Sequence, residues 1–206
     1  MSKILGALFL LVLSVVAQAA DNNMLYVEYQ FSGKEIAPDS FDAKIKKLWR
    51  IGFEFLRFED APHPQNNPHG LIIVSDPDIW IIDRNTNLAQ HRVDPGPNFK
   101  IHFPLFALES SEKLRRLELG REVDYFHEQS ARESPAQEID GFKCRVLRIA
   151  VDDREAALFA KPNGTPRQIV LKAAEHEYTM NFLRYEPDRK PDMSLFQLPL
   201  GVQPKK

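Results

Sequence analysis

Short runs in which apolar and polar side chains alternate recur along most of this chain, and nothing else in the sequence constrains the fold as tightly. In "MLYVEYQF", Leu25, Val27, Tyr29 and Phe31 share one parity, with Glu28 and Gln30 on the other. Successive side chains of an extended chain point to opposite faces, so this spacing predicts a strand with one apolar face. "SFDAKIKKLWRIGFEFLRFED" is ambiguous: Phe41, Ala43, Ile45, Trp49 and Ile51 keep the strand period, while Phe41, Ile45, Leu48 and Trp49 also fit a helix. Two strands are the better reading, because Gly52 tolerates the positive φ of a tight turn and "FEFLRF" is strongly aromatic. "GLIIVSD" and "DIWIIDR" follow, separated by Pro77 and closed by a turn at "RNTN".

The middle of the chain changes character. "LFALESSEKLRRLELGREVDYFHEQSA" is rich in helix formers, and Leu114, Leu117 and Arg121 fall on one face at helical spacing, with Gly120 expected to break the helix in two. Strand signals return in "GFKCRVLRIAV", "REAALFA", "RQIVLKA" and "EYTMNFLRY", with turns at Asp152-Asp153 and at "KPNGTP", where Asn163-Gly164 is a strong hairpin signal. The tail "EPDRKPDMSLFQLPLGVQPKK" has too many prolines for a central strand. About eight to ten strands around one or two helices predict a mainly β fold of the α+β class. The expected architecture is a strongly bent antiparallel sheet, an incomplete β-barrel whose concave face is covered by a helical lid.

The amino end carries an address. Lys3 supplies a positive start, Ile4 to Val16 an apolar stretch, and Ala17-Gln18-Ala19 the small-residue pattern that a signal peptidase cuts behind. The apolar stretch falls short of a bilayer span, and no lipid-attachment cysteine follows it. Residues 1–20 are therefore expected to be a signal peptide and residues 21–206 a single exported domain, soluble in a bacterial periplasm and not inserted in the membrane. The 27 lysines and arginines are interleaved with 29 aspartates and glutamates, which gives no electrostatic footprint for nucleic acid. Cys144 is the only cysteine, so no internal disulfide forms, and its setting favours a small buried side chain over a reactive thiol.

Chemistry-bearing motifs are few. His63 and His69 flank a loop with Pro64, Pro68 and Asn66-Asn67, and His91, His102, Asp76 and Asp78 lie nearby in sequence. Proline and asparagine content already accounts for that loop as a turn, so a metal site built on His63 and His69 is the weaker alternative. "HEYTM" places Met180 where a second zinc ligand would have to stand, and it reads as a strand. No nucleophile elbow, phosphate-binding glycine loop or dinucleotide fingerprint is present. The acidic residues Glu54, Glu59, Asp60 and Asp83 sit at strand edges and turns, where solvated charges are expected. No catalytic residue, cofactor or metal is assigned, and the chain is not expected to be an enzyme.

What remains is apolar. Val27, Tyr29, Trp49, Phe53, Phe55, Ile72, Val74, Trp80 and Ile82 all fall in or beside strand-like runs. They form either an ordinary core or the lining of an apolar cavity for acyl chains, and the pattern alone fits both.

The order of these elements, together with the leader, "KLWRIGFEFLRFED", "GLIIVSDPDIWIIDRNTN" and the closing "LFQLPLGV", resembles the outer-membrane lipoprotein carrier (LolA-like) superfamily of periplasmic lipoprotein-sorting proteins. The resemblance implies a non-enzymatic protein that binds a lipid or the acyl chains of a lipoprotein in the apolar cavity. It differs from the dedicated carriers in having little room for a long amino-terminal helix, and their functional arginine is matched to no one of Arg50, Arg57 and Arg84. The alternative is a periplasmic sensor or interaction module with a filled core and an envelope protein as partner.

Overall fold

The computed structural model describes residues 23–61, 69–94, 96, 102, 103, 105, 111–173 and 176–205. Twelve strands form one sheet. They are β1 (Met24–Gly33), β2 (Lys46–Ile51), β3 (Phe55–Asp60), β4 (Gly70–Ser75), β5 (Asp78–Asp83), β6 (Leu88–Val93), β7 (Arg132–Ile139), β8 (Phe142–Val151), β9 (Arg154–Ala160), β10 (Pro166–Ala173), β11 (His176–Arg189) and β12 (Gln203–Pro204). Their order across the sheet is β12-β6-β5-β4-β3-β2-β1-β11-β10-β9-β8-β7. Two meanders, β2 to β6 and β7 to β11, are thus joined by β1, which pairs antiparallel with both β2 and β11. Only β12 runs parallel to its neighbour.

Turn chemistry sets the hairpins. Gly52, between β2 and β3, has φ +55°, as its position in the sequence predicts. Gly164 has φ +85° in the turn between β9 and β10, where Lys161 and Thr165 are joined by a backbone hydrogen bond of 2.9 Å. After β5, the Asp83 carboxylate accepts hydrogen bonds from Asn85 N–H and the Thr86 hydroxyl, both at 2.9 Å.

The sheet is curved and open. In a flat sheet β4 and β8 would lie roughly 33 Å apart, seven strand spacings, yet both contribute to one apolar cluster. That cluster fills the concave side. It takes Val27 and Tyr29 from β1, Leu48 from β2, Leu56 and Phe58 from β3, Val74 from β4, and their counterparts Leu147, Ile149, Leu158, Ile169, Met180 and Phe182 from the second meander. The edge strands β7 and β12 do not pair, so the barrel is incomplete, as the sequence predicts.

The lid lies between β6 and β7. Its described part holds a 3₁₀ turn, Leu114–Arg116, and a seven-residue helix α1, Glu122–Glu128. Among the described residues the helical stretch read from the sequence is shorter than expected, and Gly120 does divide it, at φ +89°. A Cβ at that position would lie 2.6 Å from Leu25 Cδ2, so the chain crosses close above β1. Leu114, Leu117, Leu119, Tyr125 and Phe126 all enter the concave cluster. The first expected strand of the second segment is also shorter: residues 34–45 are turns and bends, and pairing starts at Lys46.

The convex side is apolar too. Leu71, Ile73, Ile82 and Ala89 form a second cluster, covered by Leu198 and Val202 of the carboxyl-terminal segment. That segment is held by a 3₁₀ turn, Met193–Phe196, whose Phe196 ring packs 5.6 Å from Phe55, and by Arg57 Nη1, which donates to Leu195 O at 2.9 Å. A third cluster joins Cys144, Val146, Ala157 and Phe159, so Cys144 is the small buried side chain that its context indicates.

Candidate functional site

The seam between lid and concave face carries the buried polar groups. Arg50 stands in a cross-strand row with Leu25, Leu56 and Val74 and is 6% exposed. Its Nε donates to Gly52 O at 2.8 Å, which keeps the guanidinium directed across the end of β2. Its Nη1 donates to Glu118 Oε2 at 3.2 Å and to Leu119 O at 3.1 Å, both on the lid. The Phe53 ring lies 4.8 Å from the guanidinium carbon. Glu118 is 5% exposed and also bonds His102 through its other oxygen.

A second tie lies four residues further on in the chain. Glu122, the first residue of α1, is 1% exposed. Its Oε1 accepts from Gly120 N–H at 2.9 Å and its Oε2 from the Tyr185 hydroxyl of β11 at 2.8 Å. Burial pushes this carboxyl up to about 7, although the two hydrogen bonds and the charge of Arg50 oppose the shift. Burial likewise raises Tyr185, beside the Glu122 carboxylate. Tyr125 braces the lid internally, donating from its hydroxyl to Lys113 O at 2.8 Å.

At the opposite end of β2, Lys46 lies across the ladder from Asp60. Lys46 Nζ donates to Phe41 O at 2.8 Å and sits 4.4 Å from the Phe41 ring centre. Burial raises the Asp60 carboxyl to about 6 despite the neighbouring lysine.

The expected cavity residues are divided between two faces. Val27, Tyr29, Ile72 and Val74 lie on the concave side. Trp49, Phe55, Trp80 and Ile82 have the opposite parity in their strands and lie on the convex side: the Trp49 ring packs, tilted, 4.9 Å from Tyr26, Phe55 meets Phe196, and Ile82 with Trp80 lies in the cluster under the tail. Phe53 occupies the β2–β3 turn beside Arg50. The nine therefore do not share one face of the sheet. Both faces of β2 to β5 are covered, so both parities are apolar and the sequence does not show which one is concave.

The concave face is filled by lid side chains. A hollow of about 500 Å³ at the lid is lined mainly by charged side chains, among them Arg115, Arg116, Glu118, Arg121 and Glu128, with His102 and Tyr125. Among the histidines, His63 lies outside the described residues, and His91 bonds Asp78 at 2.6 Å and stacks on Trp80 at 3.9 Å. Among the described residues, no group of three or more His, Cys, Asp or Glu side chains converges as metal ligands would.

No family model matches the chain, and no curated protein matches it in sequence. Solved structures do match in fold. An uncharacterised conserved protein from Thermus thermophilus aligns over 89% of this chain and 90% of its own, at a TM-score of 0.52 and 8% identity. MucB aligns over 91% of this chain and 61% of its own, at 0.48 and 12%. A proposed outer-membrane lipoprotein-sorting protein domain from Vibrio parahaemolyticus aligns over 80% and 85%, at 0.28 and 9%. The Thermus structure carries the comparison, and at these identities what is shared is the fold: a curved, open, mainly β sheet with a helical lid. Among the described residues no helix is long and apolar enough to cross a membrane.

Proposed function

We propose that the chain is a non-catalytic binding protein of the bacterial periplasm, exported by residues 1–20, whose concave face receives an acyl chain of a lipid or lipidated protein when the lid moves aside. The observation that carries this reading is how that face is covered. An apolar trough drawn from both meanders is closed by a segment with one seven-residue helix, held to the sheet by side-chain ties at Arg50 and Tyr185. Leu114, Leu117, Leu119 and Phe126 occupy the trough much as an acyl chain would, through apolar contact. The seam carboxylates Glu118 and Glu122 are each engaged in holding the lid, which supports a binding role over acid–base chemistry.

A second reading has its own observation. The trough is filled and the hollow at the lid is lined mainly by charged side chains, which fits a sensor or interaction module that takes no lipid and meets an envelope protein through its surface. One experiment separates the two: thermal midpoints of lipid-stripped protein titrated with alkanols of increasing length. An acyl site predicts saturable stabilisation, with affinity rising about fourfold per added CH₂, equivalent to about 0.8 kcal/mol. Absence of stabilisation at every length contradicts the acyl site and leaves the interaction module.

A further inference from the structure

We infer that the hollow at the lid is a binding site for a phosphate monoester, held by Arg115, Arg116 and Arg121. The site requires no movement of the lid and stands apart from the acyl-binding reading. Apart from His102, its described lining comes from two neighbouring segments, the 3₁₀ turn and α1 with the residues that flank them. Leu114 and Leu117 are both fully buried, and Leu117 N–H donates to Leu114 O at 3.0 Å, so the two arginines between them are left on the exposed side of the turn. Arg121 immediately precedes α1, and its carbonyl accepts from Tyr125 N–H at 2.9 Å. The Tyr125 hydroxyl reaches back to Lys113 O at 2.8 Å, which ties the helix to the turn and holds Arg121 in place relative to Arg115 and Arg116.

The charges around the hollow do not cancel among themselves. Glu118 is committed to Arg50 and His102, and Glu128 faces Arg121 at 3.4 Å in a half-exposed pair. Among the described residues neither Arg115 nor Arg116 stands in an ion pair, and of the lining carboxylates only Glu112 is likewise uncommitted. Two arginines thus face one free carboxylate, and neighbouring guanidinium groups repel each other until an anion lies between them. A phosphate monoester offers three acceptor oxygens and a charge of about −1.5 to −2 at pH 7. It matches the planar donor forks of Arg115 and Arg116 and competes with Glu128 for Arg121, whose exposed pair is weak. The volume, about 500 Å³, falls within the range of small-molecule sites, about 300–1,000 Å³, and leaves room for the organic group that carries the phosphate.

The test is titration calorimetry on the full chain with glycerol 3-phosphate and with glycerol, alongside flotation with phosphatidylcholine vesicles that contain or lack phosphatidic acid. Glycerol 3-phosphate is expected to bind saturably at one site, and glycerol not to bind. Arg115→Gln/Arg116→Gln should weaken phosphate binding roughly tenfold or more and leave the thermal midpoint of the free protein in place, since both side chains are exposed. Arg92→Gln/Arg132→Gln, which removes the same charge from exposed positions on β6 and β7, should leave binding unchanged, and Glu112→Gln should tighten it. Capture by phosphatidic acid that Arg115→Gln/Arg116→Gln abolishes assigns the phosphate to a lipid head group. Binding of glycerol 3-phosphate, with vesicle capture indifferent to phosphatidic acid, assigns it to a soluble ester; either result upholds the site. No binding of either phosphate, equal binding of glycerol, or binding that survives Arg115→Gln/Arg116→Gln overturns it. The acyl-binding reading is untouched by that failure, because its own titration uses alkanols that carry no phosphate.

Discussion

Replacing Glu122 by glutamine tests the lid seam through pH. A glutamate in the unfolded chain titrates near 4.5, whereas burial holds the folded carboxyl protonated up to about 7. Between those values the folded protein carries a proton that the unfolded chain has released, so stability falls as pH rises, by about 1.4 kcal/mol per unit. Below the lower value both states are neutral and the group contributes nothing. Above the upper value both are ionised, and a cost of about 3 kcal/mol remains from placing a charge in the seam. The assay is urea unfolding from about pH 5 to about pH 8, comparing wild type with Glu122→Gln. Wild type should lose about 2–3 kcal/mol across that window relative to the variant. Asp60, raised to about 6, has the same sign but is common to both proteins, so the difference isolates Glu122. Parallel curves for the two proteins would refute the buried, proton-holding carboxyl.

Three further substitutions examine the lid and its ties. Phe126→Ala removes a ring with no exposed surface from the centre of the concave cluster and should cost about 3–5 kcal/mol in urea unfolding. Arg50→Ala leaves Glu118 buried without its arginine and should cost about 3 kcal/mol, most of it recovered when both members of the pair become methionine. Gly120→Ala forces a side chain into a left-handed conformation against Leu25 and should lower stability by about 1–2 kcal/mol, read as a shift in thermal midpoint.

Nine strands, β1 to β5 and β8 to β11, were legible because apolar residues alternate or cluster between turn residues; β6, β7 and β12, mostly exposed, carry no such pattern and were not. Gly52 and Asn163-Gly164 mark hairpins that form where the dipeptide chemistry requires them. The curvature followed from the strand count and a helical middle, although twelve strands form among the described residues rather than about eight to ten. The faces were not legible. Trp49 and Leu48 are adjacent and both apolar, and only the folded chain shows that Leu48 meets the lid cluster while Trp49 meets Tyr26 on the other side. The tail causes this, since Phe196, Leu198 and Val202 cover the convex face and remove the polar parity that would have identified it. The seam escaped for a related reason. Glu118 and Glu122 sit in a charged, helix-forming stretch where carboxylates are normally solvated, and their partners Arg50 and Tyr185 come from strands far away in sequence. The one available signal was Arg50 itself, an arginine sharing strand parity with the buried Leu48.

Hydrogen exchange on the full chain, with and without saturating decanoate, tests most directly whether a ligand takes the place of the lid. Lid amides such as Leu117, Tyr125 and Gln129, bonded at 3.0, 2.9 and 3.0 Å to Leu114 O, Arg121 O and Tyr125 O, report the lid, and the ladder amides of β2 and β3 report the sheet beneath it. The account predicts faster exchange in the lid on binding, with exchange in β2 and β3 unchanged or slower. Bound decanoate that leaves lid exchange unchanged, or slows it, would contradict the displacement of the lid from the concave face.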